Sequence, residues 1–336
     1  KLYDINANFA WAKYLGYAII RNISLSIGEY EIDNHTGLFY YLDFLMNHNI
    51  NKENAVNNML GMLPELYTYD NIPKKSHVMY IPLKFWFCKY VNNALPIIAL
   101  QYSDIELTIK LKSLEEVAYW DKCDSNFLCV PEVDCKLLIE YVCLDSEERL
   151  KLVESNKEYL IENIKYSGTI IQDRTDIDDC FSKIILKFNN MCKLMFWTIR
   201  FYDICDNNDF NKIINWHDFS YYDNNAIESI AIQTNEIYRE HAKDANYYNF
   251  VQPYNHGYSS LTKNIFLYSF ALYPKLLQPS GSINLSQLES LGLLIKLSPE
   301  IVCKIKQGKL RFSVDVFCVT TNILRIIGGL GGLVFL

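Results

Sequence analysis

The chain is short of charge imbalance, of paired histidines and of long apolar runs, and each shortage removes a class of function. Lys and Arg number 32 against 39 Asp and Glu, so the net charge is −7, with the two signs interspersed. A surface that wraps nucleic acid is basic because it must neutralise phosphates, so direct nucleic-acid binding is not expected. The six histidines, His35, His48, His77, His217, His241 and His256, are all singletons. A metal-dependent β-barrel enzyme would need a tight His-x-His pair with a downstream acid and a third His, and no such spacing occurs. The longest apolar run near a terminus, Ile323–Leu336, is interrupted by Arg325 and diluted by four glycines. It is shorter than the roughly 20 apolar residues that cross a bilayer. No secretory leader is visible, and the chain starts at Lys1.

Disulfide and catalytic frameworks are missing as well. The ten cysteines (Cys88, Cys123, Cys129, Cys135, Cys143, Cys180, Cys192, Cys205, Cys303 and Cys318) are scattered, which fits reduced thiols in a cytosolic setting. Cys123, Cys129 and Cys135 recur every six residues, too widely for zinc pairs and without a fourth ligand. The GGLGG run at 328–332 is followed by no Lys-Ser/Thr, so it is not a phosphate loop. Glycines at a strand end permit a bend or a close backbone approach. There is no Gly-x-Ser-x-Gly elbow, and Glu147-Glu148 and Asp178-Asp179 lie in polar contexts. Neither catalysis nor a cofactor or metal is expected. The sequons at Asn22, Asn34 and Asn284 are short enough to occur by chance without a secretory route.

What the chain does have is strand-forming sequence. At 336 residues it is long enough for two domains. Half of it is hydrophobic and only 21% charged, which excludes disorder. The 25 Tyr and 18 Phe suit pleated strands. Ile105, Leu107, Ile109 and Leu111 alternate with Glu106, Thr108, Lys110 and Lys112. Ile23, Leu25 and Ile27 alternate with Asn22, Ser24 and Ser26, and Leu310 to Cys318 alternate with Arg311, Ser313 and Asp315. Such strands bury one face against a second sheet, as in sandwiches. No helix–strand–helix alternation supports a parallel α/β sheet.

One segment departs from this pattern. Asp145 and Glu148 form a capping-box spacing, and Leu150, Val153, Leu160 and Ile164 fall on one helical stripe. The spacing predicts a helix over about 145–165. That divides the chain into residues 1–144, a linker at 145–167 and residues 168–336. A further helix is expected over 37–47, while 51–62 reads as helix or loop. After residue 168 the strand candidates lie near 168–172, 183–189, 193–203, 226–234, 263–271, 290–297 and 309–319. Before residue 145 they lie near 15–27, 79–88, 97–101, 104–112 and 135–143.

Two stretches follow a common plan. Tyr80–Lys112 reads YIPLKFWFCKYVNNALPIIALQYSDIELTIKLK and Leu267–Leu297 reads LYSFALYPKLLQPSGSINLSQLESLGLLIKL. Each opens with an aromatic-rich strand, breaks at a proline-containing turn and resumes as a strand. Pro96 and Pro279 mark the breaks, because proline donates no ladder hydrogen bond. Pro279-Ser280-Gly281 is a turn signal, with Asn284 and Ser286 able to bond locally to the backbone.

These segments resemble the signature regions of the major capsid proteins of large icosahedral nucleocytoplasmic DNA viruses, the double jelly-roll family. The likeness is carried by Pro82, Phe85, Phe87, Ala94, Leu95 and Pro96, then by Pro279, Ser280, Gly281 and Asn284. It extends to Asn322, Arg325, Gly328 and Gly331 in TNILRIIGGLGGLVFL. WAKYLGYAIIRNISLSIGEYEIDNHTG, LDSEERLKLVESNKEYLIENIKY and IILKFNNMCKLMFWTIRF are similar to further family segments in the same order. In the last of these, Asn190-Met191-Cys192 replaces the family's usual His-Pro and following apolar residue, so that turn is expected to be built differently.

The resemblance implies an all-β chain of two tandem eight-stranded jelly rolls joined by a short linker helix. With few strand candidates before residue 145, the first roll is expected to be incomplete at its N-terminus, its first strands coming from an upstream segment or another polypeptide. It also implies a structural virion protein, assembled in the host cytoplasm, that forms homotrimeric capsomers with pseudo-hexagonal outlines. Neighbouring capsomers, minor capsid or penton proteins and an internal membrane layer are the implied partners. The connections at 113–132 and 203–225, about twenty residues each, imply a capsomer of low relief, since tall towers need long insertions. A minor capsid or membrane-scaffold protein of the same fold is the alternative, and a jelly-roll lectin or cupin-like enzyme a more distant one.

Overall fold

The computed structural model describes residues 8–89, 91–120, 132–178, 180–204, 209–221, 226–262 and 264–335. The first half opens with β1 (Phe9–Trp11), a single turn α1 (Leu15–Ala18), and a hairpin of β2 (Ile20–Ile27) and β3 (Tyr30–Thr36). Helices α2 (Gly37–Met46), α3 (Glu53–Met59) and α4 (Pro64–Tyr67) follow, then β4 (Ile105–Leu111), α5 (Leu114–Val117) and β5 (Ala118–Trp120). β2 is the middle strand of an antiparallel sheet ordered β3-β2-β4, and β1 pairs with β5. Thr36 caps α2 by accepting the Phe39 N–H on Oγ1 at 3.2 Å, satisfying a donor that the helix leaves orphaned. The helix begins on Gly37 because nothing larger fits. A Cβ there would lie 2.2 Å from the Tyr17 carbonyl oxygen and 2.7 Å from that of Ile20.

Helix α6 (Ser146–Glu154) leads into the second half, with Asp145 Oδ1 accepting the Glu148 N–H at 2.8 Å. The strands are then β6 (Lys157–Gln172), β7 (Ile177–Asp178), β8 (Phe181–Leu186) and β9 (Met191–Asp203). After α7 (Asp209–Ile214) come β10 (Ile227–Thr234), β11 (Ile237–Asp244), α8 (Gln252–Asn255), β12 (Ile265–Ser269) and β13 (Ile283–Asn284). The chain closes with β14 (Leu291–Leu297), α9 (Pro299–Lys306), β15 (Leu310–Ile327) and β16 (Leu330–Leu333). One sheet is ordered β11-β10-β14-β8-β7. The other is ordered β12-β9-β15-β16, with β13 on β9 and β6 on β15. The edge strand β11 is almost wholly exposed, carries Arg239, Glu240, Lys243 and Asp244, and meets β10 through two register shifts. Charges and bulges of this kind discourage edge-to-edge pairing.

The sheet containing β9 and β15 is buried on both faces. On one side Trp197, Phe266, Phe312, Val314 and Val316 pack against Ile230, Leu293 and Ile295 of the facing sheet. On the other side Leu194, Phe196, Leu267, Phe317 and Leu324 pack against Ile23, Leu25, Phe39 and Tyr40 of the first half. A strand buried on both faces reads as a continuous apolar run, which is why MCKLMFWTIRF shows no alternation. The polar residues of β15 are covered too. Asp315 is buried and accepts hydrogen bonds from the Tyr166 hydroxyl at 2.5 Å and the Thr169 hydroxyl at 2.7 Å. The solvated face expected for Arg311, Ser313 and Asp315 is thus largely closed, by β6.

Several expectations are corrected by the chain's tertiary contacts. The helix predicted over 145–165 ends at Glu154, and 157–172 is a strand pairing antiparallel with β15 from Lys157↔Ile326 to Gln172↔Phe312. Leu150 and Val153 are exposed, so a longer helix would have had nothing to bury its stripe against, whereas β15 offers a full ladder. The strand expected near 79–88 is irregular and ends in a 3₁₀ turn at Trp86–Cys88. Phe85 and Trp86 are adjacent and both buried in the core of the first half, with the chain turning at Trp86–Cys88 rather than continuing as a strand. The strand expected at 97–101 is a 3₁₀ turn, Ile97–Ala99, following Pro96. Residues 135–143 have no regular secondary structure. The common plan of the two signature stretches therefore survives in their closing strands, β4 and β14, while the opening strand is present in the second stretch, as β12, and not in the first. The helix expected over 37–47 is α2, and 51–62 resolves as α3 behind a 3₁₀ turn.

Candidate assembly surfaces

The motif residues do not converge on one pocket; most of them shape turns or join the two halves. Phe85 is fully buried and stacks on His35 at 4.4 Å and on Phe87 at 5.5 Å. His35 Nε2 lies 2.9 Å from Asp33 Oδ2, with both side chains shielded from solvent, and Asp33 Oδ1 accepts the Ile164 N–H of β6 at 2.9 Å. The Asn163 amide donates to the Ile32 carbonyl at 2.5 Å. The Phe85 cluster therefore sits against the seam where β3 meets β6. Pro82 is exposed, while Ala94, Leu95 and Pro96 are half-buried. The carbonyls of Leu95 and Pro96 accept the N–H groups of Ile97 and Ala99, each at 2.9 Å, which closes the turn.

The second signature turn is built by hydrogen bonds that its sequence foreshadows. Ser280 Oγ accepts the Tyr273 N–H at 2.8 Å, and Asn284 Oδ1 accepts the Ser286 N–H at 3.1 Å. Gly281 has φ 133°, and a Cβ there would stand 3.1 Å from the Phe270 carbonyl oxygen. Pro279 lies exposed at the start of this turn. Asn190, where the family's usual His-Pro is replaced, takes φ 73°, a left-handed conformation that Asn tolerates better than most residues. Its N–H donates to Ser286 Oγ at 2.8 Å.

The closing glycines turn the chain back on itself. Gly328 (φ 59°) and Gly329 (φ 85°) form the two-residue turn between β15 and β16, the geometry for which paired glycines are favoured. The returning strand lies on the first half: the Tyr102 N–H donates to the Gly329 carbonyl at 3.0 Å, and the Gly331 N–H to Ser103 Oγ at 3.1 Å. A Cβ on Gly331 would come 2.5 Å from Leu100 Cδ2. Asn322 clamps the tail, its amide donating to the Phe335 carbonyl at 2.5 Å and its carbonyl accepting the Phe335 N–H at 3.2 Å. Arg325 pairs with Glu158 across the β15–β6 ladder at 2.7 Å.

Sequence reasoning missed a buried ionic group beside this seam. Glu162 accepts from Lys89 at 2.6 Å and from Lys193, both groups on the carboxylate being ammonium. Burial works to raise the Glu162 pKa, but the two lysines outweigh it and hold the carboxyl below its ordinary range. Burial lowers the Lys193 pKa, with Glu162 opposing. No spacing could have announced this group, because its members come from three distant segments.

Among the described residues, exposed apolar side chains include two dense sets. Residues 132–144 carry Leu138, Tyr141 and Val142 at 80%, 67% and 62% exposure, with Val133, Leu137 and Ile139 beside them. Around α8 and the second signature turn, Phe250, Tyr254, Leu272, Tyr273 and Leu276 are exposed, and His256 Nδ1 lies 3.2 Å from the Leu272 carbonyl, tying the two segments together. Apolar surface this dense marks contacts with other molecules. Among the described residues no cluster of three or more His, Cys, Asp or Glu could hold a metal ion, and no helix is long and apolar enough to cross a membrane. Cys135, Cys143, Cys303 and Cys88 are free and exposed, whereas Cys123 and Cys129 lie outside the described residues.

Comparison with known proteins follows the same division of the chain. Residues 2–145 match the family described as "Major capsid protein N-terminus", and residues 148–332 match "Large eukaryotic DNA virus major capsid protein". A "Probable capsid protein 4" of Acanthamoeba polyphaga mimivirus is 25% identical over 97% of this chain and 81% of that protein. The "Major capsid protein" of Pyramimonas orientalis virus is 27% identical over 99% of this chain and 80% of that one. In structure, the Faustovirus major capsid protein gives a TM-score of 0.74 at 10% identity, covering 96% of this chain and 74% of that one. A subunit of the PBCV-1 virus capsid gives 0.69 at 21% identity, covering 98% and 88%. The fold is that of the double jelly-roll capsid proteins.

Proposed function

Because the chain belongs to the major capsid protein family of large eukaryotic DNA viruses, we propose that it forms homotrimeric, pseudo-hexagonal capsomers that tile the icosahedral shell of a virion. The single observation that carries this reading is the shared central sheet. It is buried on both faces and holds the two sandwich halves side by side as one body. Two such modules per subunit, residues 1–144 and the β-rich part from 157 onward, give three subunits six comparable domains. A closed cyclic trimer of that composition presents a hexagonal outline. The motif residues serve this function indirectly, since most of them fix turns or seams between the halves rather than contact a ligand.

Trimer contacts and contacts between capsomers fall on the exposed apolar sets at 132–144 and around Tyr254 and Tyr273. Large apolar contact faces are the habit of obligate oligomers. The curated relatives quoted above are named as capsid proteins, and the subunit is read as a structural component with no enzymatic role. Neighbouring capsomers, minor or penton proteins and an internal membrane layer are its partners, with no direct contact to nucleic acid. The virion is its destination and the host cytoplasm its place of assembly. Native mass measurement of the purified chain, in the presence of chelator and reductant, tests the reading. Three copies per particle are expected, with triangular-to-hexagonal outlines in electron micrographs. A stable monomer, or dissociation by chelator alone, contradicts it.

A further inference from the structure

His217 sits in an aromatic cluster at the junction of the two halves. Its ring lies 5.1 Å from Tyr14 and 5.7 Å from Tyr41 of the first half, and 6.4 Å from the neighbouring Trp216. Trp216 in turn lies 5.4 Å from Tyr41. The backbone around the cluster is tied across the junction. The Lys13 N–H donates to the Ile214 carbonyl at 3.0 Å, and Trp216 Nε1–H donates to the Lys13 carbonyl at 2.6 Å. Arg200 donates to the Trp216 carbonyl.

Two features make this junction a poised one. Tyr14 holds φ 49°, a left-handed conformation that is unfavourable for a bulky L-residue and persists only where the surroundings enforce it. His217 Nδ1 is buried with no hydrogen-bond partner. In the neutral ring it goes unpaired as acceptor or as donor, according to the tautomer. In the imidazolium it is an N–H donor bearing charge, with nothing to receive it.

The charged and titratable groups around the ring are predominantly basic. Lys13, from the segment before α1, and Arg200 of β9 both act against a positive charge on His217, while only Asp218 favours one. Lys112, after β4, stands 5.6 Å above the Trp216 ring. Tyr14 and Tyr41 contribute hydroxyls whose pKa values burial raises, so both remain neutral through the acid range. Glu53 of α3 acts on Tyr14, and His48 lies 3.9 Å from Glu53.

We propose that His217 is an acid-sensitive latch between the two halves: neutral, it completes the aromatic junction; protonated, it places an unpartnered cation beside Lys13 and Arg200 and releases the strained Tyr14 turn. Burial first, then Lys13 and Arg200, hold its pKa at about 4, against 6.5 for an unperturbed imidazole. The open junction therefore binds the proton more readily than the closed one. Stability from the latch is fully present above pH 6.5 and is lost as pH falls from 6.5 towards 4.

Hydrogen exchange of the full chain at residues 14–18, 41–46 and 214–219, corrected for intrinsic rates, reads the opening equilibrium. Between pH 7.5 and 4.5 it is expected to rise on the order of 50-fold in the native chain. In His217→Gln it is expected to stay within a few-fold, while His48→Gln behaves as the native chain does. An unchanged native equilibrium, or the same rise in His217→Gln, overturns the proposal. Should His217→Gln not fold, the ring's own titration by NMR in the native chain decides instead. A midpoint near 4 supports the latch, and a midpoint between 6 and 7 overturns it.

Discussion

Lys193 of β9 is bonded to Glu162 of β6 across the intervening strand β15, and the ladder skips Lys193 to allow it. Val319 pairs with Leu194 and Thr320 with Cys192, so Lys193 is the extra residue of a β-bulge. Glu162 stands opposite Thr321 on the other side of β15. A bulge re-aims a side chain, and here it turns an ammonium group under the seam between the halves. The freed Lys193 carbonyl accepts the Phe270 and Ala271 N–H groups at 2.9 and 3.2 Å.

Replacing Glu162 with Gln strands a buried ammonium ion. Removing one partner of such a pair costs about 3–5 kcal/mol, so the denaturant midpoint of Glu162→Gln should fall accordingly. The double variant Glu162→Leu, Lys193→Met removes the two buried charges, leaves the half-exposed Lys89 to solvent, and should recover most of the loss. A double variant as unstable as the single one would show that the pair's charge is not what matters.

The acid limb of stability should separate into two parts. The Glu162 carboxyl is held below its ordinary value of 4.5. Its contribution is therefore present above that value and lost only as pH falls further, through the folded pKa. Glu162→Gln should flatten the pH dependence below 4.5 and leave the part between 6.5 and 4 intact, because that part belongs to His217. Thermal melts at half-unit pH steps distinguish the two.

Gly37→Ala is expected to be the most damaging small substitution in the first half. The new methyl meets backbone oxygens of Tyr17 and Ile20, which no rotamer change can move aside. A loss of about 3 kcal/mol, the upper end for overpacking, is expected. Chemical denaturation measures it, and a loss below about 1 kcal/mol would mean that α1 shifts freely against α2.

Asn322→Ala should release the tail. Both polar atoms of the amide hold Phe335, and a cost of about 1–3 kcal/mol is expected for leaving those backbone groups without the partner. Limited proteolysis should cut near residues 330–335 faster in the variant. Equal rates would show that the contacts of Gly329 and Gly331 with Tyr102 and Ser103 suffice to hold the strand.

Residues 132–144 should be cut readily in the isolated chain and become protected on assembly. Leu138, Tyr141 and Val142 are exposed, and concentrated shell subunits cannot leave such a stretch uncovered without aggregating. Mass-mapped proteolysis of free subunits and intact particles makes the comparison. Equal cleavage in both would remove this segment from the assembly surface.

Local sequence alone determined the strands that are half-buried and the turns that need a special residue. The alternation of Ile105 to Leu111 and of Ile23 to Ile27 reports a pleat with one apolar face, and β4 and β2 lie there. Pro279, Ser280, Gly281 and Asn284 specify a turn through φ, missing donors and short polar side chains, all of which act within a few residues. Family membership was legible for a related reason: its motifs are runs of adjacent residues, and their order along the chain is a property of sequence.

Tertiary structure decided whatever depends on a distant partner. Leu160 and Ile164 continue the helix-like stripe of Leu150 and Val153, yet Lys157–Gln172 is a strand because β15, some 150 residues away, supplies its ladder. Phe85 and Trp86 read as strand, yet both turn inward because the core needs both rings. Glu162, Lys89 and Lys193, and likewise His217 with Tyr14 and Tyr41, meet only when the halves close on the shared sheet. Local propensities are worth tenths of a kcal/mol per residue, whereas a buried ring or a full ladder is worth several times that, so the long-range contact prevails wherever the two disagree.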